Sequence, residues 1–191
     1  VLGAGAALVF VMVVVMGYEQ DRIQVWLHPL ESFANEITFA DGISGRDHAW
    51  QTVQSLYAIG SGGILGQGPG NSRQKHLFLP EPQNDFIFAI FCEEMGLIGA
   101  VLVLVLFALL VLRGLKIALK SPDKFGCMLA FGLTLQIGIQ VAINVAVVSN
   151  LMPNTGISLP FFSYGGTSIL MLMLQMGVVL SISRQARMEK V

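Results

Sequence analysis

An all-α integral membrane protein, built as a polytopic helical bundle, is the fold class this sequence predicts, and three observations carry the prediction. Hydrophobic residues make up 54% of the 191-residue chain and charged residues 12%, at a mean hydropathy of +0.70, whereas soluble domains carry about a quarter charged residues. The apolar residues gather in four runs, 1–17, 85–112, 125–150 and 166–183, near the roughly 20 residues a helix needs to cross a bilayer core of about 30 Å. Arg113, Lys116, Lys120, Lys124, Arg184, Arg187 and Lys190, seven of the eleven Lys and Arg, cluster in two short segments between and after these runs. Backbone groups in lipid must bond internally, so the runs read as helices.

The first run opens at Val1, inside apolar sequence, as a piece of a longer protein would. It lacks a basic leader, and further spans follow, so a cleaved signal peptide is not expected. The two basic clusters mark the cytoplasmic side and place segment 18–84 outside. That segment, with Asp85 included, carries eight acids against four bases. A polar connection of this length is well beyond ordinary loops and predicts a functional element. Trp26, Leu27, Leu30, Phe33 and Ile37 suggest a stretch lying at the interface, and Ala49 to Ile59 has helical spacing of Trp50, Val53 and Tyr57. Cys92 and Cys127 sit inside apolar runs as small hydrophobes, with no disulfide framework or metal site implied. A net charge of −1 excludes a nucleic-acid partner as the expected reading.

Polar residues in such a chain are the informative ones, since a charge at mid-bilayer costs about 2.5–3.5 kcal/mol even on the lenient insertion scale. Asp85 begins the second run, where an acid either complements the helix dipole or serves chemistry. Glu93 and Glu94 follow about 12 Å along the helix and should face protein or water. Gln136, Gln140 and Asn144 recur every four residues on one face of the third run, a pattern that favours helix–helix hydrogen bonds over substrate contact. The glycine-rich segment from Gly60 to Gly70, with Arg73 and Lys75 after it, offers amides and charges for an anionic phosphate, though it lacks the strand and Gly-Lys-Ser/Thr ending of a nucleotide loop. The last loop, Met152 to Ser168, is broken by Pro and Gly, which at membrane depth is tolerated only where backbone is buried or lines a cavity.

Three stretches together carry a resemblance: Gln54-Ser55 with AIGSGGILGQGPGNSRQKHLFLPE, then NDFIFAIFCEEMG, then LMPNTGISLPFFSYGGTS. In this combination the chain resembles the shape, elongation, division and sporulation (SEDS) proteins FtsW, RodA and SpoVE from about Arg22 to Arg184, the FtsW/SpoVE branch more than RodA. The resemblance implies ten membrane helices, of which these four would be the last. It implies a glycosyltransferase that polymerises lipid II on the outer face of the cytoplasmic membrane in cell division or sporulation. It also implies a class B penicillin-binding protein as partner, within a divisome or elongation complex.

The family's essential aspartate, in the motif PE-x-x-x-DFIF, falls on Asp85; many members place His-Thr before it where this chain has Gln83-Asn84. By the same resemblance Asp85 is the catalytic base. Glu81, Arg73, Lys75, Gln54, Ser55 and Ser163 are candidate substrate-binding residues, with Arg73, Lys75 or a divalent cation offsetting charge on a departing diphosphate. Two other functions compete: a lipid II flippase using Glu93, Glu94 and the Gln136/Gln140/Asn144 face as a polar path, and a non-catalytic scaffold for the penicillin-binding protein. The position of Asp85, Arg73 and Lys75 at the outer edge favours polymerisation.

Overall fold

The computed structural model describes residues 20–34, 45–72 and 85–188. They form helices α1 (Gln20–Leu27), α2 (Pro29–Ala34), α3 (Gly45–Gly62), α4 (Ile87–Leu119), α5 (Lys124–Val148) and α6 (Gly166–Met188), with no strand among the described residues. Three stretches are long and apolar enough to cross a membrane: α4, α5 and Gly166–Gln185 of α6. The apolar run 1–17 lies outside the described residues.

Helix α4 runs to Leu119, past the end at 112 that hydropathy suggests. Arg113 and Lys116 therefore ride on its last turns, where long basic side chains can carry their charge to the interface. Ser121-Pro122 stops the helix, because the residue before proline is pushed out of the α region. Asp123 then caps α5, its Oδ2 accepting from Gly126 N at 3.1 Å. So short a connection makes α4 and α5 antiparallel neighbours. A small residue brings them close: a Cβ on Gly114 would lie 2.4 Å from Thr134 Oγ1. Val103, Phe107 and Val141 fill the core between them, while Leu102, Leu106, Leu109 and Leu112 stay exposed on the other face. A helix apolar all round suits a lipid solvent.

Within α4 the backbone is broken at Gly96, at φ 66° and ψ −170°. Two ladder bonds are lost there, those that Leu97 and Ile98 would donate to Glu93 and Glu94. The turn after α3 supplies substitutes for both. Leu97 N donates to Gly63 O (2.9 Å) and Ile98 N to Ile64 O (3.3 Å), while Glu93 O and Glu94 O accept from Gln67 N and Gly68 N, each at 3.0 Å. Segment 63–68 is thus stitched into the gap, and these four backbone groups of the break are paired rather than left to the membrane. Glycine is what lets two backbones approach this closely. A Cβ on Gly62, Gly66 or Gly96 would fall 2.1–2.3 Å from backbone atoms of the facing segment. Gly66→Ala, which also meets φ +79°, is expected to destabilise the protein by about 1–3 kcal/mol as overpacking does, read as a lower melting temperature in detergent. Gly60→Ala, with open space around it, should be neutral or slightly stabilising.

At the Asp85 end of the bundle, α1–α3 rest on the loop that follows α5. Trp26 Nε1 donates to Asn150 O at 3.0 Å, and the Phe33 and Trp50 rings lie 5.6 Å apart over a small core of Val25, Ala49 and Val53. Leu27 and Leu30 remain exposed on this layer.

Candidate functional site around Asp85

Asp85 lies in a turn just before α4, whose cap position is Phe86 with no side-chain cap bond. The helix does not reach back through Asp85. Its main-chain carbonyl is held by Asn144 of α5, whose Nδ2 donates to Asp85 O at 2.9 Å and also to Ile157 O at 2.7 Å. One turn away along α5, Gln140 Nε2 donates to Ser158 O at 3.0 Å. Sequence spacing favoured helix–helix bonds for this face; Gln140 and Asn144 instead bond loop carbonyls. The reason is the loop itself: it folds back over the end of α5 with carbonyls that no helix or strand satisfies, and amide side chains are the nearest donors. An open cleft of about 500 Å³, lined in part by Gln136, Gln140 and Ile157, runs along this face.

Gly156, one residue before Ile157, forms the wall opposite the carboxylate. A Cβ there would sit 3.6 Å from Asp85 Oδ2, and Gly156 has φ +66°. The turn is set by Asn154, whose Oδ1 accepts from Gly156 N at 3.1 Å while its Nδ2 donates to Gln51 Oε1 at 3.1 Å. Further along, Phe162 packs its ring 5.9 Å from Phe91 and 6.0 Å from Phe107, clamping the loop to α4. The Asp85 carboxylate therefore lies beside the backbone of Gly156, a Cβ at that position being within ordinary contact distance of Oδ2.

The other sequence-predicted site residues are distributed as follows. Ser55 is fully buried and its Oγ donates to Val148 O at 2.8 Å; Gln54 beside it is also buried. The Ser163 hydroxyl accepts from Leu159 N at 2.8 Å and closes the turn after Pro160. Arg73, Lys75 and Glu81 lie outside the described residues. Glu93 faces the interior at 1% exposure, its carboxylate accepting from Ser72 Oγ, and Glu94 Oε1 is buried without a hydrogen-bond partner. In the glycine-rich turn the amides of Gly66, Gln67, Gly68 and Asn71 are engaged in backbone bonds. No group of three His, Cys, Asp or Glu that could hold a metal occurs among the described residues. Sequence reasoning missed Gly156 and the specific task of Asn144; the four-residue polar spacing on α5 and the Pro/Gly-broken loop were the available signals.

The model for the FtsW/RodA/SpoVE cell cycle proteins matches residues 1–188. The chain belongs to this family. Among its FtsW/RodA/SpoVE relatives, Stage V sporulation protein E of Bacillus subtilis is 54% identical over 138 residues, covering 72% of this chain and 38% of that protein. The probable peptidoglycan glycosyltransferase FtsW of Geobacter metallireducens is 39% identical over 178 residues, 93% of this chain and 44% of that protein. The chain thus spans less than half the length of these relatives. A solved chain of a peptidoglycan synthase complex, studied for how it coordinates polymerization and crosslinking, superposes with a TM-score of 0.67 at 26% identity, over 97% of this chain and 48% of that one. With three membrane-crossing helices and this membership, the FtsW/RodA/SpoVE chain is part of a multi-pass protein of the cytoplasmic membrane.

Proposed function

We propose that this chain is the part of a peptidoglycan glycosyltransferase that carries its general base, and that the whole protein polymerises lipid II into glycan strands. One observation supports the reading: the Asp85 carboxylate lies beside Gly156 of the last loop, while Asn144 of α5 ties the Asp85 backbone to that loop. Lipid II presents an undecaprenyl diphosphate on the anomeric carbon of its muramic sugar, so the leaving group is already good. What the enzyme must supply is activation of a weak nucleophile. Asp85 accepts the proton of the acceptor's 4-hydroxyl as that oxygen attacks the anomeric carbon; the carbon–diphosphate bond breaks and the configuration inverts.

Arg73 and Lys75, which follow the stitched glycine turn, hold the diphosphate and offset the charge it gains, and Glu81 orients the acceptor. Gln54, Ser55 and Ser163 shape the backbone around the substrate. A class B penicillin-binding protein is the proposed partner, receiving the strand for crosslinking within a division or elongation complex. Strand formation from lipid II by the full-length protein with that partner, wild type against Asp85→Asn, tests the assignment.

The reading requires the Asp85 end to face outward, where lipid II headgroups are already displayed. Asn71 and Lys120 are exposed on segments flanking α4 on either side. In a full-length protein lacking Cys92 and Cys127, a cysteine replacing Asn71 should react with an impermeant thiol reagent in intact cells. A cysteine replacing Lys120 should react only after lysis. Labelling in the reverse order would turn the protein over in the membrane and remove the proposed access to substrate.

A further inference from the structure

We propose that Asn144 is a positioning residue that fixes the Asp85 carboxylate against the Gly156 wall, an inference that rests on Asp85 being the base. Asn144 is 0% exposed, and its single –NH₂ group has two hydrogens and two acceptors, the carbonyl of Asp85 at 2.9 Å and that of Ile157 at 2.7 Å. These carbonyls belong to segments 59 and 13 residues away in the chain. One amide group therefore sets the spacing between the residue that bears the carboxylate and the residue next to Gly156, whose Cβ position lies 3.6 Å from Asp85 Oδ2.

The other end of the same side chain is idle. Asn144 Oδ1 is buried and has no hydrogen-bond partner, so the position calls for a double donor. A hydroxyl at this position could serve only one of the two carbonyls, and alanine neither. Gln140 supplies an internal comparison, because it ties Ser158 of the same loop at 3.0 Å. Losing Gln140 loosens the loop alone; losing Asn144 frees the loop and the base from one another.

The consequence is specific to the chemical step. The bonds of Asn144 are to main-chain oxygens, so its loss leaves the substrate-holding charges in place and moves the carboxylate relative to the acceptor oxygen. Displacement of a reacting group by about 1 Å can lower the rate about 10²-fold. The experiment is steady-state polymerisation of lipid II by the full-length protein with its penicillin-binding partner in detergent. Wild type, Asn144→Ala, Asn144→Thr, Gln140→Ala and Asp85→Asn are compared, with melting temperature and lipid II affinity measured on each.

Expected for Asn144→Ala is a fall in kcat of about 10- to 100-fold with KM for lipid II unchanged within about twofold. Asn144→Thr, which keeps one donor, should fall between it and wild type and covers the case in which the alanine variant does not fold. Gln140→Ala should retain most of its kcat. Wild-type kcat in Asn144→Ala, with Asp85→Asn inactive, would remove the positioning role and leave the base in place. Equal losses in Asn144→Ala and Gln140→Ala, following the melting temperature and raising KM, would reduce Asn144 to a structural tie. Full activity in Asp85→Asn would instead overturn the base assignment, and the positioning role with it.

Discussion

Asp85→Asn is expected to lower strand formation by about 10²- to 10⁴-fold, the range that removal of a general base produces, while leaving the protein folded and able to hold lipid II. The substitution keeps the size of the side chain and removes its capacity to take a proton. Asn144 bonds the Asp85 carbonyl rather than its side chain, and that bond survives any substitution that keeps the backbone in place. The loss should therefore fall on kcat, with KM for lipid II little changed. Purified protein in detergent is the right setting, because without a sealed membrane translocation has no meaning and polymer is the only product to count. Undiminished polymer from Asp85→Asn would exclude proton transfer at this carboxylate. Absence of polymer from the wild type, in protein that moves lipid II across vesicles, would make the chain part of a flippase.

How much of this was legible in the sequence depends on which interaction decides each feature. Helices α4, α5 and α6 were legible because partition between lipid and water is summed over whole runs of side chains, and such runs stand out in any window. The place of Asp85 at the head of α4 was legible because a carboxylate at the start of an apolar run is conspicuous, while its proposed role comes from the PE-x-x-x-DFIF pattern. The break at Gly96 was not legible. The run around it is apolar apart from Glu93 and Glu94, and hydropathy is blind to a backbone bond exchanged between Leu97 and Gly63. For the same reason the close approach of Gly62 and Gly66 to the α4 backbone was not visible in the glycine-rich pattern. Gln140 and Asn144 were visible as a polar stripe. A stripe gives the face but not the partner, and a long-range loop carbonyl is as good an acceptor as a neighbouring helix.

Gly156 is the position where added bulk would stand beside the Asp85 carboxylate. Gly156→Val is expected to lower strand formation by about 10²-fold or more, the scale of a misplaced or obstructed reacting group. Two effects contribute and can be separated. The first is conformational: φ is +66° at this residue, a region where a β-branched residue is a true outlier and where L-residues lose about 1–2 kcal/mol. The second is steric: a Cβ begins 3.6 Å from Asp85 Oδ2, ordinary contact for a methyl group, and every atom beyond it competes with the acceptor sugar for the space before the carboxylate. Gly156→Asn isolates the second effect, since asparagine visits the left-handed region with little strain, and Gly156→Ala largely isolates the first, since its methyl fits. Asn should thus lose activity nearly as severely as Val at a near wild-type melting temperature, and Ala should lose some stability while keeping most of its activity. Were Asn fully active and Ala as impaired as Val, backbone strain would account for the whole effect, and the small size of Gly156 would have no part in admitting the acceptor.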